Sequence, residues 1–130
     1  MKKQIITISG IQIPESPFNH VVRAGDFLFL TSQLSLDLKT GQIISGDISK
    51  QTVQALENIK FLLQSCNAKM DDIVKVVIYM RDIGEFDKMN AVYRKYFPKG
   101  SEPARVTVQA TSPIKGIDIE IEVTAIASNQ

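Results

Sequence analysis

The chain has 130 residues, 44 % of them hydrophobic, with a formal net charge of +1, one cysteine and one histidine. That apolar content suffices for the core of one domain spanning 1–130, while a single cysteine excludes a disulfide framework or a Cys/His metal site. No basic run exceeds Lys2-Lys3 and no stretch resembles a signal peptide or a membrane span of ~20 apolar residues, so a soluble cytoplasmic protein without a phosphate-binding stripe is expected.

In chain order, residues 4–9 predict a first strand ending at Gly10. Pro14 and Pro17 make 11–19 an extended loop. Residues 21–31 predict two short strands around a turn at Ala24-Gly25-Asp26. Positions 27–30 (Phe-Leu-Phe-Leu) are all apolar, so both sheet faces need cover there. A single layer of helices covers only one. After a loop over 37–46, residues 49–66 place Val53, Leu56, Ile59, Leu62, Leu63 and Cys66 at helical spacing. Asp47 or Ser49 can cap that helix and Asn67 can end it, with Cys66 a small buried hydrophobe. Residues 72–81 predict a strand apolar on both sides. Residues 84–97 predict a second amphipathic helix with Phe86, Met89, Tyr93 and Tyr96/Phe97 inward, stopped by Pro98 and Gly100.

The last third holds two alternating arms, 102–110 and 117–127. Val106, Val108 and Ala110 share one face of the first arm, opposed by Arg105, Thr107 and Gln109. Ile117, Ile119, Ile121 and Val123 share one face of the second, opposed by Asp118, Glu120, Glu122 and Thr124. With Pro113 and Gly116 between them, the arms predict an antiparallel hairpin. An apolar-to-apolar register sets Val108 against Ile119 and Val106 against Ile121, hence Thr107 against Glu120 and Arg105 against Glu122. On pattern alone this is a cross-strand ion pair on a solvated face, worth about 0.2–1 kcal/mol. The element order is that of an α+β fold with a crossover that puts both helices on one side of the sheet.

Several of these segments together resemble the reactive intermediate deaminase family, also called YjgF/RidA or L-PSP. They are Glu102-Pro-Ala-Arg-Val-Thr-Val with Glu120 fifteen residues beyond Arg105, Thr31-Ser-Gln, Lys39-Thr-Gly-Gln and Asn90-Ala-Val-Tyr-Arg-Lys-Tyr-Phe. The resemblance covers nearly the whole chain. It implies a chorismate-mutase-like sandwich, one mostly antiparallel mixed sheet with two helices on one face. It also implies a homotrimer whose uncovered faces line a central barrel, with sites at subunit interfaces. The sequence independently says only that the second face wants a partner.

The implied chemistry is the cofactor-free hydrolysis of small 2-imino or 2-enamino acids, such as 2-aminoacrylate and 2-iminobutanoate, to 2-keto acids and ammonia. In that reading Arg105 clamps the substrate carboxylate, because a guanidinium offers two parallel N–H donors and stays charged at any working pH. Glu120 holds water and handles its proton. Phe18, Thr31, Asn90 and Thr107 stand at the remaining substrate-binding positions. Thr31 stands where the family has a serine and keeps a hydroxyl, and the chain departs further from the family pattern at three other residues. Phe18 replaces a tyrosine and lacks the hydroxyl, Ser32 replaces a glycine and narrows the cavity or tilts its loop, and Thr107 replaces a frequent cysteine, which argues against covalent catalysis. Asn90 can equally be a satisfied amide, and the lone His20 reads as structural. A keto-acid-binding trimer without turnover is the alternative. Ribonuclease activity ranks last, because one histidine and no basic groove supply it poorly.

Overall fold

The computed structural model describes residues 2–127. Among them six strands form one sheet: β1 (Lys3–Ile6), β2 (Val21–Ala24), β3 (Phe27–Gln33), β4 (Ile73–Met80), β5 (Ala104–Gln109) and β6 (Ile119–Ile126). Their spatial order is β1-β2-β3-β6-β4-β5. Every neighbouring pair is antiparallel except β4 and β5, which run parallel. Helix α1 (Ile48–Ser65) connects β3 to β4, and α2 (Phe86–Tyr96) connects β4 to β5. This is the mixed sheet with two helices on one face that the sequence predicts. Its boundaries are tighter at two places: β1 stops at Ile6, and a single 3-10 turn, Ile83–Glu85, precedes α2.

The helix α1 forms because Asp47 holds its first turn, the Asp47 carboxylate accepting from the Lys50 N–H at 2.9 Å. Its end is set by Asn67 in the left-handed region (φ 58°), a conformation that asparagine tolerates. The inward face carries Ile48, Ala55, Leu56, Ile59, Leu62 and Leu63, packed on Leu28, Leu30, Val76, Ile78, Ile119 and Ile121. Each large aliphatic side chain there contributes on the order of 1.5–3 kcal/mol. Val53, expected inward, is exposed, and the polar Gln51, Thr52 and Asn58 take inward positions instead. The Thr52 hydroxyl donates to the Ile48 carbonyl within the helix, while the Gln51 and Asn58 amides tie loops to it. The Gln51 Nε2 donates to the Gly46 and Gly116 carbonyls, and its Oε1 accepts from the Asp118 N–H at 2.9 Å. Asn58 donates to the Leu34 and Leu36 carbonyls. Gln51 therefore fixes the approach to β6, the strand that carries Glu120. Cys66 is buried as expected, and burial raises its thiol pKa.

The expected hairpin of the last third does not form. β6 inserts between β3 and β4, where Ile119, Ile121, Val123 and Ala125 all bury beneath the helices. β5 instead adds to the far edge of β4 in parallel, with Val76 beside Arg105 and Ile78 beside Thr107. This register puts Arg105 and Thr107 on the helix side of the sheet and Val106 and Val108 on the bare side, the reverse of the predicted faces. Alternation is kept and the assignment of faces is inverted, because β5 is an edge strand that the core does not need to fill. Arg105 and Glu120 thus leave opposite faces of one sheet, two strands apart, and the predicted Arg105 to Glu122 pair is absent.

The bare face carries the second apolar set that the sequence requires. Phe27, Phe29, Val106, Val108 and Ile126 are all exposed there, Phe29 at 47 % and Val106 at 46 %. Two phenyl rings, Phe27 and Phe29, stand 6.4 Å apart on it.

Candidate active site

Arg105 and Asn90, two of the residues at family site positions, lie in direct contact. The Arg105 Nη1 donates to the Asn90 Oδ1 at 2.6 Å, so α2 holds one arm of the guanidinium. Its plane is supported by aromatic rings: the guanidinium carbon lies 4.6 Å from the Tyr93 centroid and 5.4 Å from that of Phe86. Among the described residues no carboxylate forms an ion pair with Arg105. A fork held at one nitrogen and stacked on two rings keeps its other N–H groups for an anion. The side chain lines a cavity of about 770 Å³ together with Asn90, Tyr93, Phe97, Lys99 and Glu102.

Two hydroxyls on this side have no hydrogen-bond partner among the described residues, those of Tyr93 and Thr107. Burial pushes the Tyr93 phenol up to about 12, only partly offset by the Arg105 charge, so it stays a neutral hydroxyl at neutral pH. Thr107 follows Arg105 by two positions on the same face of β5, and its oxygen is buried.

Glu120 sits in a second pocket, of about 240 Å³, with Ser32, Tyr79, Thr111, Ser112 and Glu122. Its Oε1 accepts from the Ser32 hydroxyl at 2.6 Å and its Oε2 from the Ser112 hydroxyl. Glu122 accepts from the Tyr79 hydroxyl at 2.6 Å, and that bond, ahead of burial, holds the Tyr79 pKa above the ordinary phenol value. Sequence reasoning saw Ser32 only as an obstruction and missed Ser112 and Tyr79. A serine in the turn just before the Glu120 strand was the available signal for Ser112.

Thr31 is half-buried beside Ser32, its N–H donating to the His20 carbonyl at 3.0 Å. Phe18 lies in neither cavity; it is exposed, with its ring edge-on to His20 at 5.9 Å. His20 lines neither of these two cavities and engages the Gln33 side chain. Its Nδ1 meets the Gln33 Nε2 at 3.2 Å, a contact in which the amide donates to a neutral imidazole. Burial lowers the His20 pKa, so protonation is disfavoured in the fold. A depressed pKa contributes stability that is complete above the ordinary histidine value near 6.5 and is lost as pH falls below it. Melting temperature is therefore expected to drop between about pH 7.5 and 5.5. A His20→Leu variant is expected to give a flatter curve. Parallel curves for the two proteins would contradict this assignment.

Comparison with known proteins then identifies the lineage. The sequence profile described as Endoribonuclease L-PSP matches residues 10–127. The chain belongs to this family. Among family members, a RutC family protein of Pyrococcus horikoshii is 42 % identical over 123 residues, 95 % of this chain and 97 % of the relative. A protein of Dermatophagoides farinae named 2-iminobutanoate/2-iminopropanoate deaminase is 32 % identical over 120 residues, 92 % of this chain and 93 % of that one. The crystal structure of a Rid-family protein from Yersinia pestis superimposes with a TM-score of 0.88 at 31 % identity, covering 96 % of this chain and 99 % of the other. The L-PSP chain therefore has the YjgF-type fold. No described helix is long and apolar enough to cross a membrane.

Proposed function

We propose that this L-PSP family chain is a hydrolytic deaminase of small 2-imino and 2-enamino acids, working without a cofactor in a homotrimer. The reading is carried by the state of Arg105, buttressed by Asn90 and two rings yet unpaired with any described carboxylate, at the wall of a cavity. Such a fork fits the carboxylate of a 2-imino acid and leaves the adjoining carbon exposed to water. The similarity to a named 2-iminobutanoate deaminase supports the same chemistry.

In the reaction, water adds to the imine carbon while Glu120 accepts its proton. Glu120 passes that proton to the nitrogen, and as the tetrahedral adduct collapses its hydroxyl proton follows by the same carboxylate, so that the C–N bond breaks to leave the keto acid and ammonia. An enamino acid first takes a proton at carbon and loses one from nitrogen to become the imine. Within one chain Arg105 and Glu120 occupy different pockets on opposite sheet faces. The Arg105 half of one copy therefore works with the Glu120 half of the next. Support for an assembly comes from the exposed Phe27, Phe29, Val106 and Val108 on the bare face, an apolar patch that an isolated chain would leave in water.

The direct test measures keto acid and ammonia released from freshly generated 2-iminobutanoate against buffer alone. Rates equal to buffer, with small 2-keto acids still raising the melting temperature, would favour a binding protein without turnover. The assembly has its own test. Native mass spectrometry is expected to find three copies, and Phe29→Asp is expected to yield monomers with activity lost in parallel. Full activity from the monomeric variant would overturn the shared site.

A further inference from the structure

Glu120 and Glu122 project from the bare side of the sheet, where carboxylates are ordinarily solvated and free to change rotamer. Glu120 is not free. Its two oxygens are taken by hydroxyls from two separate segments, Ser32 at the end of β3 and Ser112 in the connection between β5 and β6. The Ser112 oxygen is itself fixed, because it accepts from the Ile114 N–H at 3.1 Å. Its hydroxyl has one proton, and with the oxygen anchored by the turn that proton is directed at Glu120. The result is a polarised chain from the Ile114 N–H through the Ser112 hydroxyl to the carboxylate, met by the Ser32 hydroxyl on the other oxygen. The neighbouring carboxylate does not compete for these donors. Tyr79 lies opposite Glu120 in the register but gives its hydroxyl to Glu122.

We infer that Ser32 and Ser112 are positioning residues of the proposed hydrolysis, clamping the Glu120 carboxylate in the one orientation from which it meets the attacking water. The inference rests on the deaminase reading above. The core lies on the other side of the sheet, so packing does not require either hydroxyl. What the pair supplies is orientation: each carboxylate oxygen keeps a lone pair for water while rotation about the side chain is arrested. The clamp is complete within one chain, so the Glu120 half is preorganised before any partner docks.

The test compares wild type with S32A, S112A, S112T and the S32A/S112A double variant on freshly generated 2-iminobutanoate, with melting temperatures to verify folding. The double variant is expected to lose on the order of 10- to 100-fold in kcat, with KM little changed, as for a misplaced reacting group. S112T keeps the hydroxyl and is expected to stay near wild type. Undiminished kcat in the double variant, a loss confined to KM, or S112T as impaired as S112A would each overturn the inference. If wild type itself releases no keto acid, the deaminase reading fails separately. Crystal structures then decide the clamp: a Glu120 side chain that adopts several rotamers only in the double variant upholds it, and one unchanged rotamer in both proteins overturns it.

Discussion

Arg105→Ala is expected to lower kcat/KM for 2-iminobutanoate on the order of 10³-fold or more, close to the rate in buffer. The size follows from what the fork supplies. A charge-assisted, two-point grip sets both the place and the rotation of the substrate, and alanine removes both at once. The loss should fall on KM and kcat together, because a substrate held by nothing else is rarely in line with the attacking water. Arg105→Lys keeps the charge without the planar fork and should recover only part of the activity. Stability is expected to change little, since the stacking on Tyr93 and Phe86 is worth about 0.5–1 kcal/mol at a half-exposed site. A variant as active as wild type would remove the basis for the deaminase reading.

Glu120→Gln should lower kcat on the order of 10²- to 10⁴-fold while leaving KM nearly unchanged. Glutamine has the shape of glutamate and can still meet one serine hydroxyl through its carbonyl. It cannot take a proton from water. Its amide also presents donors where the carboxylate presented acceptors, so one of the two serine contacts becomes donor facing donor unless the hydroxyl turns away. Proton transfer and orientation are thus lost together, whereas the carboxylate-binding half on the other face is untouched. The measurement is a full rate curve against substrate concentration. A normal kcat with raised KM would move Glu120 from proton handling to simple binding.

Much of this architecture was legible in the sequence. Apart from Val53, the 3.6-residue period of α1 read correctly, as did the Asn67 stop, and of the two cap candidates Asp47 is the one that forms, because helices are set by contacts three and four residues apart. The doubly apolar segment at 27–30 does place apolar side chains on both faces of the sheet, Leu28 and Leu30 buried and Phe27 and Phe29 exposed, whereas the contact between Arg105 and Asn90 was not foreseen from the positions the resemblance named. What misled was the partner of β5. Alternation records which side chains share a face, and it carries no information on which strand lies alongside or which face meets the helices. One warning was present: the predicted arms leave six residues, 111–116, already longer than the two to five of an ordinary hairpin loop, and the strands as formed leave nine, 110–118. That length lets the chain pass over β4. The serines around Glu120 were illegible for another reason. Ser32 is 88 residues from Glu120, and its hydroxyl contact depends on a register shift between Leu30 and Gln33 that no local pattern encodes.

The placement of Arg105 and Glu120 on opposite sides of one sheet has a consequence for mixtures of defective chains. Under the shared site proposed above, an Arg105→Ala chain still offers an intact carboxylate half and a Glu120→Gln chain an intact guanidinium half. Unfolding and reassembling the two dead proteins together should restore measurable turnover by complementation at those junctions where the intact halves meet. A chain bearing both substitutions should rescue neither. Within a lineage of such proteins, co-expressed copies that had each lost a different half could therefore persist as mutually dependent subunits.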